Sequence, residues 1–259
     1  MRMMKKVLGT VTVLALSVSL LAGCGSTAVS PVSSTASTAA ESTTSSVVSE
    51  TTSAAADENA AAAAQLLNDL TGSYQELWPV ILADEYQQTW LDDCTALVGE
   101  ENAEAAFEKL SSMVTGDVYG EDAVEAYANG GGAYFCGFTN SLATLTFDGE
   151  TSTISGTDKD GNVLFSHTYH YIGMEPVHGL YEFQSDDADS GEFTYFFLAP
   201  DTSAETYHIE FRYGSDAEAL SQYDTGEYAY WLASGISTDC DQTMIDNCIE
   251  LFCTENLAG

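Results

Sequence analysis

The stretch Thr206-Tyr207-His208-Ile209-Glu210-Phe211-Arg212-Tyr213 decides the reading of the fold. Successive side chains of a strand point to opposite faces, so Thr206, His208, Glu210 and Arg212 share one face. Tyr207, Ile209 and Phe211 share the other. This period of two predicts a strand with a polar and an apolar side. Working outward, segments rich in aromatic and β-branched residues recur at Tyr134–Phe138, Leu142–Phe147, Val163–Tyr171, Leu180–Phe183 and Glu192–Leu198. Gly, Asp and Asn separate them at short intervals. Lys159-Asp160-Gly161-Asn162 is a hairpin turn signal. Many short antiparallel strands joined by tight turns predict a mainly β domain, a closed barrel or a sandwich.

Helical patterns flank the strands. Asp57 is placed to cap a helix through Leu66, Leu67 and Leu70. Trp78-Pro79-Val80-Ile81-Leu82 sets a proline near a helix start. Tyr86, Trp90 and Leu97 continue an apolar face, and Ala103, Phe107, Leu110 and Met113 recur at helical spacing before Gly116. This first part reads as a cap packed on the sheet. Asp216 to Tyr223 and Asp241 to Phe252 close the chain as helices. Met244, Ile245, Cys248, Ile249 and Phe252 form one apolar face on the last.

The start of the chain has a different character. Arg2, Lys5 and Lys6 precede an apolar run from Val7 to Leu20, the layout of a secretory leader. The run is too short for a spanning helix. It ends in Leu21-Ala22-Gly23-Cys24, which resembles a bacterial lipobox, with Cys24 as the residue that takes the lipid. The expected organisation is a signal peptide at 1–23 and a lipidated, disordered Ser/Thr/Ala-rich stalk at 24–56, followed by a domain at 57–259. The stalk carries only Glu41 and Glu50 as charges and has no periodicity with which to build a core. The expected location is the extracytoplasmic face of the cell membrane, held by the lipid alone.

Beyond Cys24 only Lys109, Lys159 and Arg212 are basic, against all 40 Asp and Glu of the chain. Such acidity argues against nucleic acid and anionic lipid surfaces as partners, and favours cations or plain solubility. The five cysteines after Cys24 are Cys94, Cys136, Cys240, Cys248 and Cys253. Export permits disulfides, and an odd number leaves at least one thiol free or paired between chains. Cys248 and Cys253 would sit about 140° apart on a helix, so they are not expected to bridge. Without a C-x-x-C spacing, a thiolate zinc knuckle is not expected.

Histidine occurs at 167, 170, 178 and 208 only. His208 and Glu210 lie roughly 7 Å apart along one strand face and can flank an ion if other segments supply donors. Imidazole with carboxylate suits zinc. The competing reading has His208 simply hydrogen-bonded and pairs Glu210 with Arg212. His167 and His170, three apart on a strand, point to opposite faces. His178, in Glu175-Pro176-Val177-His178-Gly179, is expected to be exposed. Asp158-Lys159-Asp160-Gly161-Asn162 resembles a calcium loop but lacks its glycine and closing glutamate spacing. Asp186-Asp187-Ala188-Asp189 with Glu192 reads as a solvated loop. No H-E-x-x-H, G-x-S-x-G or P-loop occurs, and His208-Ile209-Glu210 lacks the P-C-x-x-C a zinc deaminase needs. An enzyme is not expected.

Three segments, in order, resemble the ZinT (YodA) family of extracytoplasmic zinc-binding proteins. They are Leu70-Thr71-Gly72-Ser73-Tyr74-Gln75-Glu76-Leu77-Trp78-Pro79, then Leu198-Ala199-Pro200 followed by Thr206-Tyr207-His208-Ile209, and then Tyr228-Ala229-Tyr230-Trp231-Leu232. The resemblance spans about residues 66 to 255. It implies an antiparallel lipocalin-like (calycin) barrel with N-terminal and C-terminal helices. It further implies zinc as the bound ion and a metal transporter as partner. Of the family's three zinc-ligand histidines, His208 matches the last; Phe196 and Thr206 stand at the other two. Glu210, His167 or His178 would have to replace the missing donors. The rival expectation is a metal-free module that holds a small apolar ligand or a surface partner, with Tyr169, Tyr195, Phe197 and Tyr207 as wall or core residues.

Overall fold

A computed structural model describes residues 58–258. The leader, Cys24, the stalk and the Asp57 cap lie outside the described residues. Eight strands form a closed antiparallel barrel in which each pairs with its sequence neighbours and the last returns to the first. They are β1 (Gly72–Glu76), β2 (Thr144–Asp148), β3 (Thr153–Thr157), β4 (Val163–Met174), β5 (Tyr181–Ser185), β6 (Tyr195–Leu198), β7 (Ile209–Gly214) and β8 (Ala233–Ser237). Closure is made by Tyr74 opposite Ser237 and Glu76 opposite Gly235. A barrel leaves no free sheet edge. The mainly β fold with flanking helices expected from the sequence is the one observed.

Large rings fill the barrel. Phe147, Phe183, Phe196, Phe211 and Tyr213 are all at most 2% exposed. Phe196 stacks on Tyr213 at 5.3 Å and stands edge-on to Tyr169 at 5.4 Å. Such contacts add directional preference to apolar burial. The helix at residues 58–69, α1, contributes Ala63, Leu66 and Leu67 to this same core, joined by Leu70 just beyond it. Its backbone lies so close to Gly149 that a Cβ there would sit 2.3 Å from the Asn68 Cα. The β2–β3 turn therefore needs glycine at that point.

The remaining helices build a second apolar layer outside the barrel wall. Between β1 and β2 run α2 (Leu77–Ile81), α3 (Gln87–Val98), α4 (Ala103–Val114) and α5 (Glu121–Ala128). Later come the short α6 (Ser203–Thr206) and α7 (Ala217–Leu220), and finally α8 (Gln242–Leu257). Leu77, Trp90, Cys94 and Leu110 pack with Ile245, Ile249 and Cys253 of α8 and with Ile236 of β8. Trp90 is fully buried and donates its indole N–H to the Ile81 carbonyl at 2.7 Å. No helix among the described residues is long and apolar enough to cross a membrane.

Several expectations shift in detail. Tyr134–Phe138 is not a strand; only Phe135 makes isolated bridges, to Thr115 and Trp231. Thr206 ends α6 rather than starting a strand, and Tyr207 turns the chain with φ +68° before β7 begins at Ile209. Strands β1, β3 and β8, absent from the strand pattern above, complete the barrel.

Candidate functional site around His208

The polar face of β7 points away from the barrel interior. Ile209, Phe211 and Tyr213 belong to the barrel core, so alternation sends Glu210 and Arg212 outward. The polar face expected on this strand therefore lies outside the barrel rather than in a pocket within it. An eight-stranded barrel is filled by side chains or holds one small ligand, and here large apolar residues occupy the interior. Glu210 lies opposite Ser234 of β8.

His208 sits just before β7, its side chain 19% exposed. Its Nδ1 lies 2.7 Å from the Thr206 carbonyl oxygen. A carbonyl only accepts, so Nδ1 carries a proton and donates. This bond fixes the ring and turns Nε2 toward Glu210, whose Oε1 is 3.8 Å away. That separation is too long for a hydrogen bond. Behind the ring, the Cys248 thiol of α8 lies 3.9 Å from Nδ1.

The electrostatics around the ring are one-sided. Burial opposes charge on the imidazole, but the Cys248 thiol and the Glu210 carboxylate outweigh it and hold the His208 pKa well above its ordinary value. The Asp201 carboxyl is pushed up by burial and then by Glu205 and Glu210, with His208 acting in the opposite sense. Glu255, near the end of α8, is pushed up by burial, relieved by His208, and raised again by Glu210 and Asp201. The 198–206 turn, β7 and α8 thus bring carboxylates together around one imidazole. Sequence reasoning missed Asp201, Cys248 and Glu255 as neighbours of His208. Only the docking of α8 places two of them there, and no local pattern records it.

The other candidates are placed elsewhere. Phe196, at the first family ligand position, is fully buried among the interior rings. Thr206, at the second, offers its carbonyl to His208 and donates its hydroxyl to Thr202 and His208 carbonyls. Neither supplies a metal donor side chain. His167 and His170 each meet an aspartate, Asp187 at 2.7 Å and Asp186 at 2.6 Å, from a loop whose residues 186–189 are exposed as expected. His178 is not an exposed turn residue: its ring lies 3.7 Å from the Tyr223 ring. Arg212 does not pair with Glu210. Its guanidinium, fully buried, donates to the carbonyls of Leu220, Gln222 and Tyr228 and lies 4.2 Å over the Tyr223 ring. Among the described residues, no three His, Cys, Asp or Glu side chains stand together in a geometry that holds a metal ion. His208 and Glu210 form a two-donor platform with further carboxylates nearby.

Tyr169 and Phe197 are core residues, while Tyr195 and Tyr207 are half-buried against the two apolar layers.

No known family model matches the sequence, and no protein of curated function does. Among solved structures, the chain is similar to the Zn(II)-bound ZinT-like domain of Streptococcus pneumoniae AdcA. That match has a TM-score of 0.45 at 15% identity, over 71% of this chain and 89% of that one. It is also similar to Zn(II)-bound AdcA from the same organism, with a TM-score of 0.42 at 15% identity, over 70% of this chain and 34% of that one. The chain therefore spans about a third of the length of whole AdcA.

Proposed function

We propose that this chain is a lipid-anchored extracytoplasmic protein that binds a divalent metal ion, zinc by its donor chemistry, for acquisition or buffering. His208 and Glu210 are the ligands. The observation that carries the reading is the 3.8 Å gap between His208 Nε2 and Glu210 Oε1, with Nδ1 already committed to a carbonyl. Zinc bonds to imidazole nitrogen and carboxylate oxygen are each about 2.0–2.2 Å. A cation therefore spans this gap where a hydrogen bond does not. The bond from Nδ1 to a backbone carbonyl is the arrangement that orients ligating histidines.

The other carboxylates supply what two ligands lack. Asp201 and Glu255 feel both His208 and Glu210, and their mutual repulsion is relieved by positive charge placed between them. Either side chain would be the third donor of the proposed site. The ordered motifs shared with ZinT support the same reading. A metal transporter is then the natural partner, and no chemical transformation is assigned to the chain.

Calorimetric titration of the chain with zinc tests the proposal. One saturable site is expected, abolished by His208→Ala and weakened more than about tenfold by Glu210→Gln. A titration without saturable heat overturns the proposal, as does one unchanged in His208→Ala.

A further inference from the structure

Helix α3 and helix α8 meet over two cysteines. The Cys94 and Cys253 sulfurs are 3.9 Å apart, and neither residue has any exposure to solvent. Both exist as thiols in this structure. The surroundings are an apolar cluster that includes Trp90, Leu110 and Ile249, with the Asp93 carboxyl as the charge that acts on both thiols. Cys136 and Cys248 are engaged elsewhere, with the Tyr134 carbonyl and the His208 ring.

We propose that Cys94 and Cys253 become a disulfide that fastens α8 to α3 when the chain folds in the presence of a disulfide oxidant. The bond needs the sulfurs to close from 3.9 Å to about 2.05 Å, a change of side-chain rotation and small helix approach. The step is thiol–disulfide exchange. One cysteine thiolate attacks a sulfur of the oxidant, a small-molecule or protein disulfide, and expels its first half as a thiol. The second cysteine then attacks the mixed disulfide and expels the other half. The pair loses two protons and two electrons, and the oxidant leaves as two thiols.

The order of events follows from burial. Desolvation pushes both thiols up in the folded chain, with the contact between the two sulfurs as a further influence. A thiol held in this way gives little attacking thiolate. Exchange therefore precedes the docking of α8, and docking then seals the bond from reductants. The cross-link joins positions 159 apart, a long loop whose closure restricts the unfolded chain strongly. It also secures the helix that carries Cys248 and Glu255 behind His208, although it stands whether or not a metal binds there.

Peptide mapping of the full chain decides the matter. The chain is denatured, reduced, and refolded with oxidised and reduced glutathione; free thiols are then alkylated and the chain is cut after glutamate. The expected product is the peptide of residues 86–100 joined to that of residues 251–255, present also in Cys240→Ser. Reductant added before refolding removes it and lowers the unfolding midpoint by roughly 5–10 °C. Recovery of residues 86–100 alkylated at Cys94 overturns the proposal, as does a cross-link from Cys94 to any other cysteine.

Discussion

The two ring nitrogens of His208 have separate duties, and pH separates them. Nδ1 keeps its proton for the Thr206 carbonyl; in the proposed function Nε2 would exchange a proton for a cation. Because the pKa is held well above the ordinary imidazole value, the metal-free ring is charged near neutrality. Zinc must displace the Nε2 proton, so affinity is expected to rise with pH up to the folded pKa of His208. Titrations in buffers of different ionisation heat should register about one proton released per ion near pH 6.5, and fewer as pH increases. The sign for stability runs the other way. A raised folded pKa contributes stability fully present below about pH 6.5 and lost as pH rises through the folded value. His208→Ala should therefore destabilise the metal-free chain more at pH 6 than at pH 9 in urea unfolding; an equal loss at both contradicts the assignment. Strand alternation suggested a shared face for His208 and Glu210, but His208 precedes β7 and is oriented by the turn at Thr206 and Tyr207 instead. For Arg212, alternation gave the face, but the carbonyls it binds come from a loop whose position only the folded chain defines.

At the scale of the element, α8 shows how local and distant signals combine. Asp241 caps it, accepting from the Met244 N–H at 2.9 Å, as the Asp before an apolar periodic run predicts. Asp241→Ala is expected to cost about 1 kcal/mol in urea unfolding. A loss below roughly 0.3 kcal/mol would mean that packing of Ile245, Ile249 and Cys253 alone holds the first turn. Helices α1, α3, α4 and α8 were readable from their 3.6-residue period, while α5 and α6 were not read from the sequence. Strands β4 to β7 were readable from their aromatic and β-branched content. Strands β1, β3 and β8 were not, because Gly72-Ser73-Tyr74-Gln75-Glu76, Thr153-Ile154-Ser155-Gly156-Thr157 and Ala233-Ser234-Gly235-Ile236-Ser237 are built largely of small or polar residues. Their place is set by neighbours in the ladder, not by propensity. Tyr134–Phe138 shows the converse: strong strand formers that the barrel had no edge left to pair.

For the whole molecule, the acidity of the chain and its lipobox-like start carry the proposal of an anionic domain held near a surface by acyl chains rather than by charge. Replacing Cys24 with serine should move the protein from the membrane fraction to the soluble extracytoplasmic fraction, and retention in the membrane would count against the anchor. The seam of the barrel has a further consequence. β1 finds its outer partner only in residues 233–237, so a nascent chain still attached to its ribosome short of Ser237 displays two raw strand borders that any stranger can pair with. The cylinder is therefore sewn shut only once residues 233–237 are free to reach β1, by a chain that must be kept apart from its siblings until then.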